Sequence, residues 1–255
     1  MRTVWPAALA AAGLANAAPA AAFLPGLRRT LLPVLAGHGD FRHVALTFDD
    51  GPSDESTPLF LDLLRQRDIR ATFFVLGRQV LRAPGVARRI VDDGHEIAVH
   101  GWSHRCLLLD GPFRTFTGLR DACDAVETTT GVRPVWFRAP YGVFSGCSLV
   151  AARTLGLTPV LWSAWGFDWT ARATGDSVHR TVRKDLRGGG TILLHDCDVS
   201  SAPGSWKSTL DALPLVLDDC ARRDLRVGPL RDHAVGQPAA SRARIAAAGS
   251  DVAQR

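Results

Sequence analysis

The sequence predicts an α/β protein, a distorted barrel of about seven parallel strands. Three observations predict it. Short apolar strand candidates alternate with helical stretches from residue 43 to residue 227, the pattern of βαβ units that build a parallel sheet. The chain has 255 residues, 46% of them hydrophobic and 22% charged, which suits one large core of barrel size. Polar clusters follow the strand candidates, where a parallel barrel gathers its functional groups.

In order, His43–Phe48 is a short apolar strand, and Glu55–Arg67 carries apolar residues at helical spacing. Thr72–Leu76 is extended, Pro84–Asp93 helical and Glu96–His100 extended. Phe113–Thr130 reads as helix, Val135–Phe137 as strand, Ser148–Leu155 as helix and Thr158–Ser163 as strand. Ser177–Leu186 is helical, Thr191–Leu194 is a wholly apolar strand after its first residue, Leu210–Arg223 is helical and Leu225–Val227 is a last strand. The unit so defined spans 43–230, with no internal repeat and no second domain.

The ends read differently. Residues 1–24 are Ala-rich and uncharged after Arg2, with Ala15-Asn16-Ala17 resembling a signal-peptide cleavage site. Export to the cell surface or beyond is the expectation. An uncleaved apolar segment packed on the barrel, and with it a cytoplasmic location, is the competing reading. Pro6, Asn16 and Pro19 argue against a membrane-spanning helix. Residues 235–255 lack periodicity and read as a disordered tail.

Formal net charge is +5, but the basic residues form no run and no aromatic-basic interleaving, so nucleic acid is not an expected partner. Five cysteines, Cys106, Cys123, Cys147, Cys197 and Cys220, include no C-x-x-C pair, which speaks against a zinc ribbon or disulfide scaffold.

The chemistry-bearing residues sit in a few blocks. Asp49 and Asp50 close the first strand and enter the Gly51-Pro52 turn. Adjacent carboxylates repel unless something positive binds one of them. His100 and His104 flank a Gly-Trp-Ser loop after the third strand, a spacing that brings two imidazoles to one metal ion. Together these residues supply a His-His-Asp metal site with a spare carboxylate, the makings of a metal-dependent hydrolase. Arg138 opens an Arg-Ala-Pro-Tyr block, and a buried arginine there needs an acidic partner, for which Asp49 is the natural candidate. His195 ends the strand before Asp196, well placed as a general acid, and Asp168 of the Asp168-Trp169 pair is a carboxylate that could hold it. Trp102, Trp165, Trp169 and Trp206 lie near these loops, positioned either to stack on sugar rings or to pack.

These blocks, T-F-D-D-G-P, H-x-x-x-H, R-x-P-Y, D-W and L-L-H-D, resemble in order those of the polysaccharide deacetylases of NodB homology, carbohydrate esterase family 4. The resemblance implies a NodB-like distorted (β/α) barrel and a bound Zn²⁺, or another divalent metal such as Co²⁺, Ni²⁺ or Mn²⁺. It implies Asp50, His100 and His104 as metal ligands and Asp49 as catalytic base, oriented by Arg138. It further implies His195 as acid, tuned by Asp168, the Tyr141 backbone N–H at the oxyanion, and Trp169 and Leu194 along the acetyl pocket. The expected substrate is an acetylated polysaccharide or oligosaccharide, such as chitin oligomers or peptidoglycan, and the expected assembly a monomer. A metal-dependent amidase or acylase on a small molecule, and a catalytically silent carbohydrate-binding member, are the alternatives. Two positions depart from the family pattern: Gly101 stands where Ser or Thr is usual, and Trp165 where the first Asp of a D-x-x-D-W block is usual.

Overall fold

The computed structural model describes residues 5–235. Of the expected tail, all but Val235 lies outside the described residues. The chain opens with helix α1 (Trp5–Ala17), a 3-10 turn (Ala18–Phe23) and helix α2 (Pro25–Leu31). Strand β1 (His43–Asp49) is followed by α3 (Thr57–Gln66), β2 (Thr72–Val75), α4 (Gly77–Arg82), α5 (Pro84–Asp92), β3 (Glu96–Val99) and α6 (Pro112–Thr130). Then come β4 (Trp136–Phe137), α7 (Gly146–Thr154), β5 (Thr158–Pro159), β6 (Ala164–Trp165), α8 (Gly175–Asp185), β7 (Thr191–His195), α9 (Trp206–Arg222) and β8 (Arg226–Gly228).

The sheet runs β5-β4-β3-β2-β1-β7-β6, with β8 pairing the lower half of β1. Every pair is parallel. Strand β1 is the hub: Thr47, Phe48 and Asp49 pair with β2 along one edge, and Asp49 stands opposite His195 of β7 on the other.

Side-chain alternation divides each strand between two layers. Val44, Leu46 and Phe48 point out to the helices, where Phe48 stacks on Phe73 at 5.1 Å and meets Phe60 edge-on at 5.4 Å. Ala45, Phe74, Ala98, Val160 and Leu230 form the small apolar interior of the barrel. Thr47 and Asp49 share the parity of Ala45, as His100 shares that of Ala98. The interior column therefore becomes polar at its C-terminal end.

The expected strand Thr158–Ser163 is not one strand. Residues 158–159 pair with β4, and 164–165 pair with β7. The stretch between them bridges the barrel's open side. There the carbonyls of Leu161 and Trp162 leave the ladder and accept hydrogen bonds from buried arginines, Arg138 and Arg28 respectively. The short helix α4, which begins one residue past β2, is a further element the apolar periodicity does not reveal. The leader-like stretch is helical from Trp5 on and is tied to the barrel, with Asn16 Oδ1 accepting the Cys147 N–H at 2.9 Å.

Phe48→Ala would leave a hole among Phe60, Phe73 and the helices. Phe-to-Ala changes at such sites cost about 3–5 kcal/mol, and denaturant unfolding should register a loss of that order; a loss below about 1 kcal/mol would mean the layer is loosely packed.

Candidate active site

Strand ends and the loops that follow them converge on one cavity of about 220 Å³, lined by Asp49, Asp50, His100, His104, Tyr141, Trp165, Trp169, Leu193 and His195, among others. The two neighbouring aspartates face different partners. Asp49 Oδ1 accepts a hydrogen bond from Arg138 Nη1 at 2.7 Å. The same Nη1 donates to Thr47 Oγ1 at 2.8 Å, and Nη2 donates to the Leu161 carbonyl at 2.9 Å. The guanidinium lies 4.0 Å from the ring centre of Phe74 and is wholly buried. Burial pushes the Asp49 carboxyl above its usual range, and the Arg138 charge pulls against it.

Asp50 turns away from that clamp, with φ +82. Its Oδ1 is buried without a hydrogen-bond partner among the described residues and lies 3.4 Å from both His100 Nε2 and His104 Nε2. Burial raises the Asp50 carboxyl to about 7: the His195 charge opposes the shift, while Asp49, Asp196 and Asp168 add to it. Burial also holds His100 and His104 down to about 3, so both imidazoles are neutral at ordinary pH. His100 Nδ1 donates to the Arg138 carbonyl at 2.9 Å, which fixes the ring and leaves the Nε2 lone pair facing Asp50.

Asp50, His100 and His104 each offer one donor atom, all within 4.8 Å of one another. An orphaned carboxylate oxygen between two neutral imidazoles is the chemistry of a divalent-cation site, so the residues present fit a metal ion. A carboxylate and two imidazoles leave coordination positions open.

His195 stands across the cavity. Asp168 grips it twice: Oδ2 accepts the His195 backbone N–H at 2.7 Å, and Oδ1 accepts Nδ1–H at 2.9 Å. Thr209 Oγ1 donates to Oδ2 at 2.8 Å and fixes the carboxylate in turn. Burial pulls the His195 imidazole down, but the Asp168 charge and hydrogen bond outweigh it, with help from Asp50 and Asp49, and raise it to about 10. Cys197, two residues on, is buried and its thiol is held far above its usual range, so it is no rival proton donor.

The aromatic side of the cavity is continuous. Trp165 stacks on Trp169 at 4.6 Å and lies 5.0 Å from Trp162 and 4.3 Å from Phe167. The Trp165 departure thus turns a position expected to be acidic into part of an indole wall. Tyr141, at φ +60 in a 3-10 turn, sets its ring edge-on to His104 at 4.4 Å. Gly101 sits at φ +91, a backbone state that favours glycine over the Ser or Thr usual there. Trp102 and Trp206 do not line this cavity.

One expected residue is misplaced. Leu194 pairs with Phe48 and points out to the helices, under Gly166, whereas Leu193 lines the cavity. Strand alternation is the reason: the face that carries His195 carries Leu193, not Leu194. That alternation was the signal available for Leu193. Thr47, Thr209, Trp162 and Phe23 also serve this site; Thr47 opens the T-F-D-D-G-P block, and no motif in the sequence marks the other three.

The fold and the site together define a parallel α/β barrel with a carboxylate–imidazole donor set that could hold a metal ion at its C-terminal rim. Residues 36–160 match the family model described as polysaccharide deacetylase. The chain is 35% identical over 213 residues to a chitooligosaccharide deacetylase of Bradyrhizobium, covering 78% of this chain and 95% of that protein. It is 33% identical over 193 residues to a peptidoglycan-N-acetylglucosamine deacetylase of Listeria monocytogenes, covering 73% of this chain and only 40% of that protein. Among solved structures, the Bc1960 peptidoglycan N-acetylglucosamine deacetylase superposes with a TM-score of 0.73 at 29% identity, over 79% of this chain and 92% of that one. The chain belongs to the polysaccharide deacetylase family, carbohydrate esterase family 4.

Because the three donors act as a set, removing one should empty it. Protein purified with added zinc is expected to carry one ion per chain by elemental analysis, and His104→Ala well under a tenth of that; equal metal in both would reject the donor set.

Proposed function

We propose that this chain is a metal-dependent deacetylase that hydrolyses N-acetyl groups, or alternatively O-acetyl groups, on the sugar units of a polysaccharide such as peptidoglycan or chitin oligomers. The observation that carries the reading is the division of labour at residues 49 and 50. Asp49 is held by Arg138 and Asp50 is left to a donor set with His100 and His104. The printed names of the relatives, deacetylases of peptidoglycan and chitooligosaccharides, support the substrate class.

A divalent cation, for which we propose Zn²⁺, supplies Lewis acidity toward the acyl carbonyl and toward water when bound to Asp50, His100 and His104. Asp49 accepts the proton that water loses as its oxygen attacks the acyl carbon. The Tyr141 backbone N–H donates to the oxygen on which negative charge develops. His195 gives its Nε2 proton to the departing sugar nitrogen while Asp168 holds Nδ1, so the C–N bond breaks to an amine rather than an amide anion. Water adds across the bond, and acetate and a free amine leave. Leu193 and Trp169 border the acyl group.

We further propose that residues 43–230 form the catalytic unit and that the chain acts as a monomer, since both clamps and all three donors come from one chain. Action at the cell surface or outside the cell follows from the polymer substrates. No described helix is long and apolar enough to cross a membrane. Cleavage after Ala17 would remove α1 and spare everything from Ala18 on.

Acetate release from peptidoglycan and from N-acetylated chitooligosaccharides, with zinc present, tests the reading. Asp49→Asn is expected to lose about 10²–10⁴-fold in rate while keeping its metal. A near wild-type rate in that variant would overturn the mechanism. Activity on simple acetamides alone would favour a small-molecule amidase.

A further inference from the structure

The N-terminal stretch reaches the cavity. The family match begins at residue 36, so residues 5–31 lie outside it. The 3-10 turn Ala18–Phe23 ends on Phe23, whose side chain lines the cavity beside Gly142 and Trp162 and keeps 40% of its surface exposed. Contact there is close. A Cβ on Gly142 would come within 2.6 Å of Trp162 Cη2 and 3.5 Å of Phe23 Cδ2, and Gly142 sits at φ +69.

Arg28, buried, fastens this wall. Its Nη1 donates to the carbonyl of Ala22, the residue before Phe23, at 3.2 Å, and Nη2 donates to the Trp162 carbonyl at 2.9 Å. The guanidinium also lies 5.1 Å from the centre of the Trp162 ring. Arg138, which holds Asp49, lies 5.8 Å from the same ring and takes the neighbouring Leu161 carbonyl. Phe23 is thus anchored, through Arg28, to the backbone segment that also holds Arg138, the partner of Asp49. A second tether, from Asn16 to the N-terminus of α7, holds the preceding helix in place. An apolar ring fixed from both sides, yet still partly uncovered at a cavity wall, has surface left for a ligand.

We infer that Phe23 is a specificity-determining residue: held by Arg28, its ring forms the part of the wall against which the sugar carrying the acyl group packs. The inference rests on the deacetylase reading. It implies that the N-terminal stretch belongs to the substrate site of this chain rather than serving only as a leader.

The test uses the whole chain and the N-acetylated trimer of chitin. Phe23→Ala should raise KM for the trimer about 5-fold, with kcat changed less than about twofold, the signature of lost ground-state binding. Calorimetry in an Asp49→Asn background, where the trimer is not consumed, should show an affinity loss of the same size. Phe23→Trp, which returns a ring, should restore both. Unchanged KM and affinity in Phe23→Ala would overturn the inference, as would a fall in kcat at constant KM. Wild-type protein that releases no acetate fails the deacetylase reading alone, because the calorimetry still reads Phe23. Trimer that does not bind the Asp49→Asn protein overturns the inference.

Discussion

A guanidinium with no exposed surface sits at the centre of this structure. Burying a charge is costly unless it is paired and its remaining donors are used. Arg138 places Nη1 and Nη2 on Asp49, Thr47 and the Leu161 carbonyl, under the face of Phe74, while its Nε is buried with no hydrogen-bond partner among the described residues. Each partner shapes something else. Thr47 brings a polar group into the apolar run 44–48. The Leu161 carbonyl is free to accept only because the sheet is interrupted between β5 and β6. Asp49 is held on the Arg138 side of the cavity with its Oδ2 3.8 Å from His100 Nε2, and its neighbour Asp50 stands closer, 3.4 Å from both imidazoles.

The backbone of the same residue organises the other half. The Arg138 carbonyl accepts from His100 Nδ1, which sets the imidazole's tautomer and aims Nε2 at Asp50. One residue therefore orients the proposed base through its side chain and a proposed ligand through its main chain. His195 is built by the same logic from a separate set. Asp168 binds both its ring and its backbone, and Thr209 braces Asp168. Opposite protonation preferences result within one cavity: two imidazoles held neutral and one held charged, set by whether a carboxylate hydrogen-bonds the ring.

Much of this was legible in the chain. Fully buried parallel strands are apolar runs, and their C-terminal ends announce themselves where the run meets Asp49, His100 or His195. The Arg138–Asp49 pair follows from the cost of a buried cation, and the Asp168–His195 pair from the needs of a charged imidazole. What escaped did so for physical reasons. Leu193 and Leu194 are chemically identical, and only the two-residue alternation counted back from His195 separates them. The run 158–163 looks like a strand because it is apolar, but side-chain chemistry elsewhere, in Arg28 and Arg138, draws its carbonyls out of the ladder. The N-terminal stretch has the composition of a leader, and composition carries no trace of the contacts that Asn16 and Arg28 make far along the chain.

The Arg138 side chain sets both the position and the protonation of Asp49, while only its main-chain carbonyl serves a proposed metal ligand. The acid limb of kcat/KM against pH reports the base of the free enzyme. Burial raises the Asp49 carboxyl and Arg138 is the largest influence lowering it, ahead of His195 and His104, so loss of the guanidinium leaves the rise less opposed. In Arg138→Gln the acid limb should therefore move to higher pH, with one metal ion per chain retained. An acid limb that stays where it is in wild type, with metal content intact, would mean that the guanidinium does not set the Asp49 protonation.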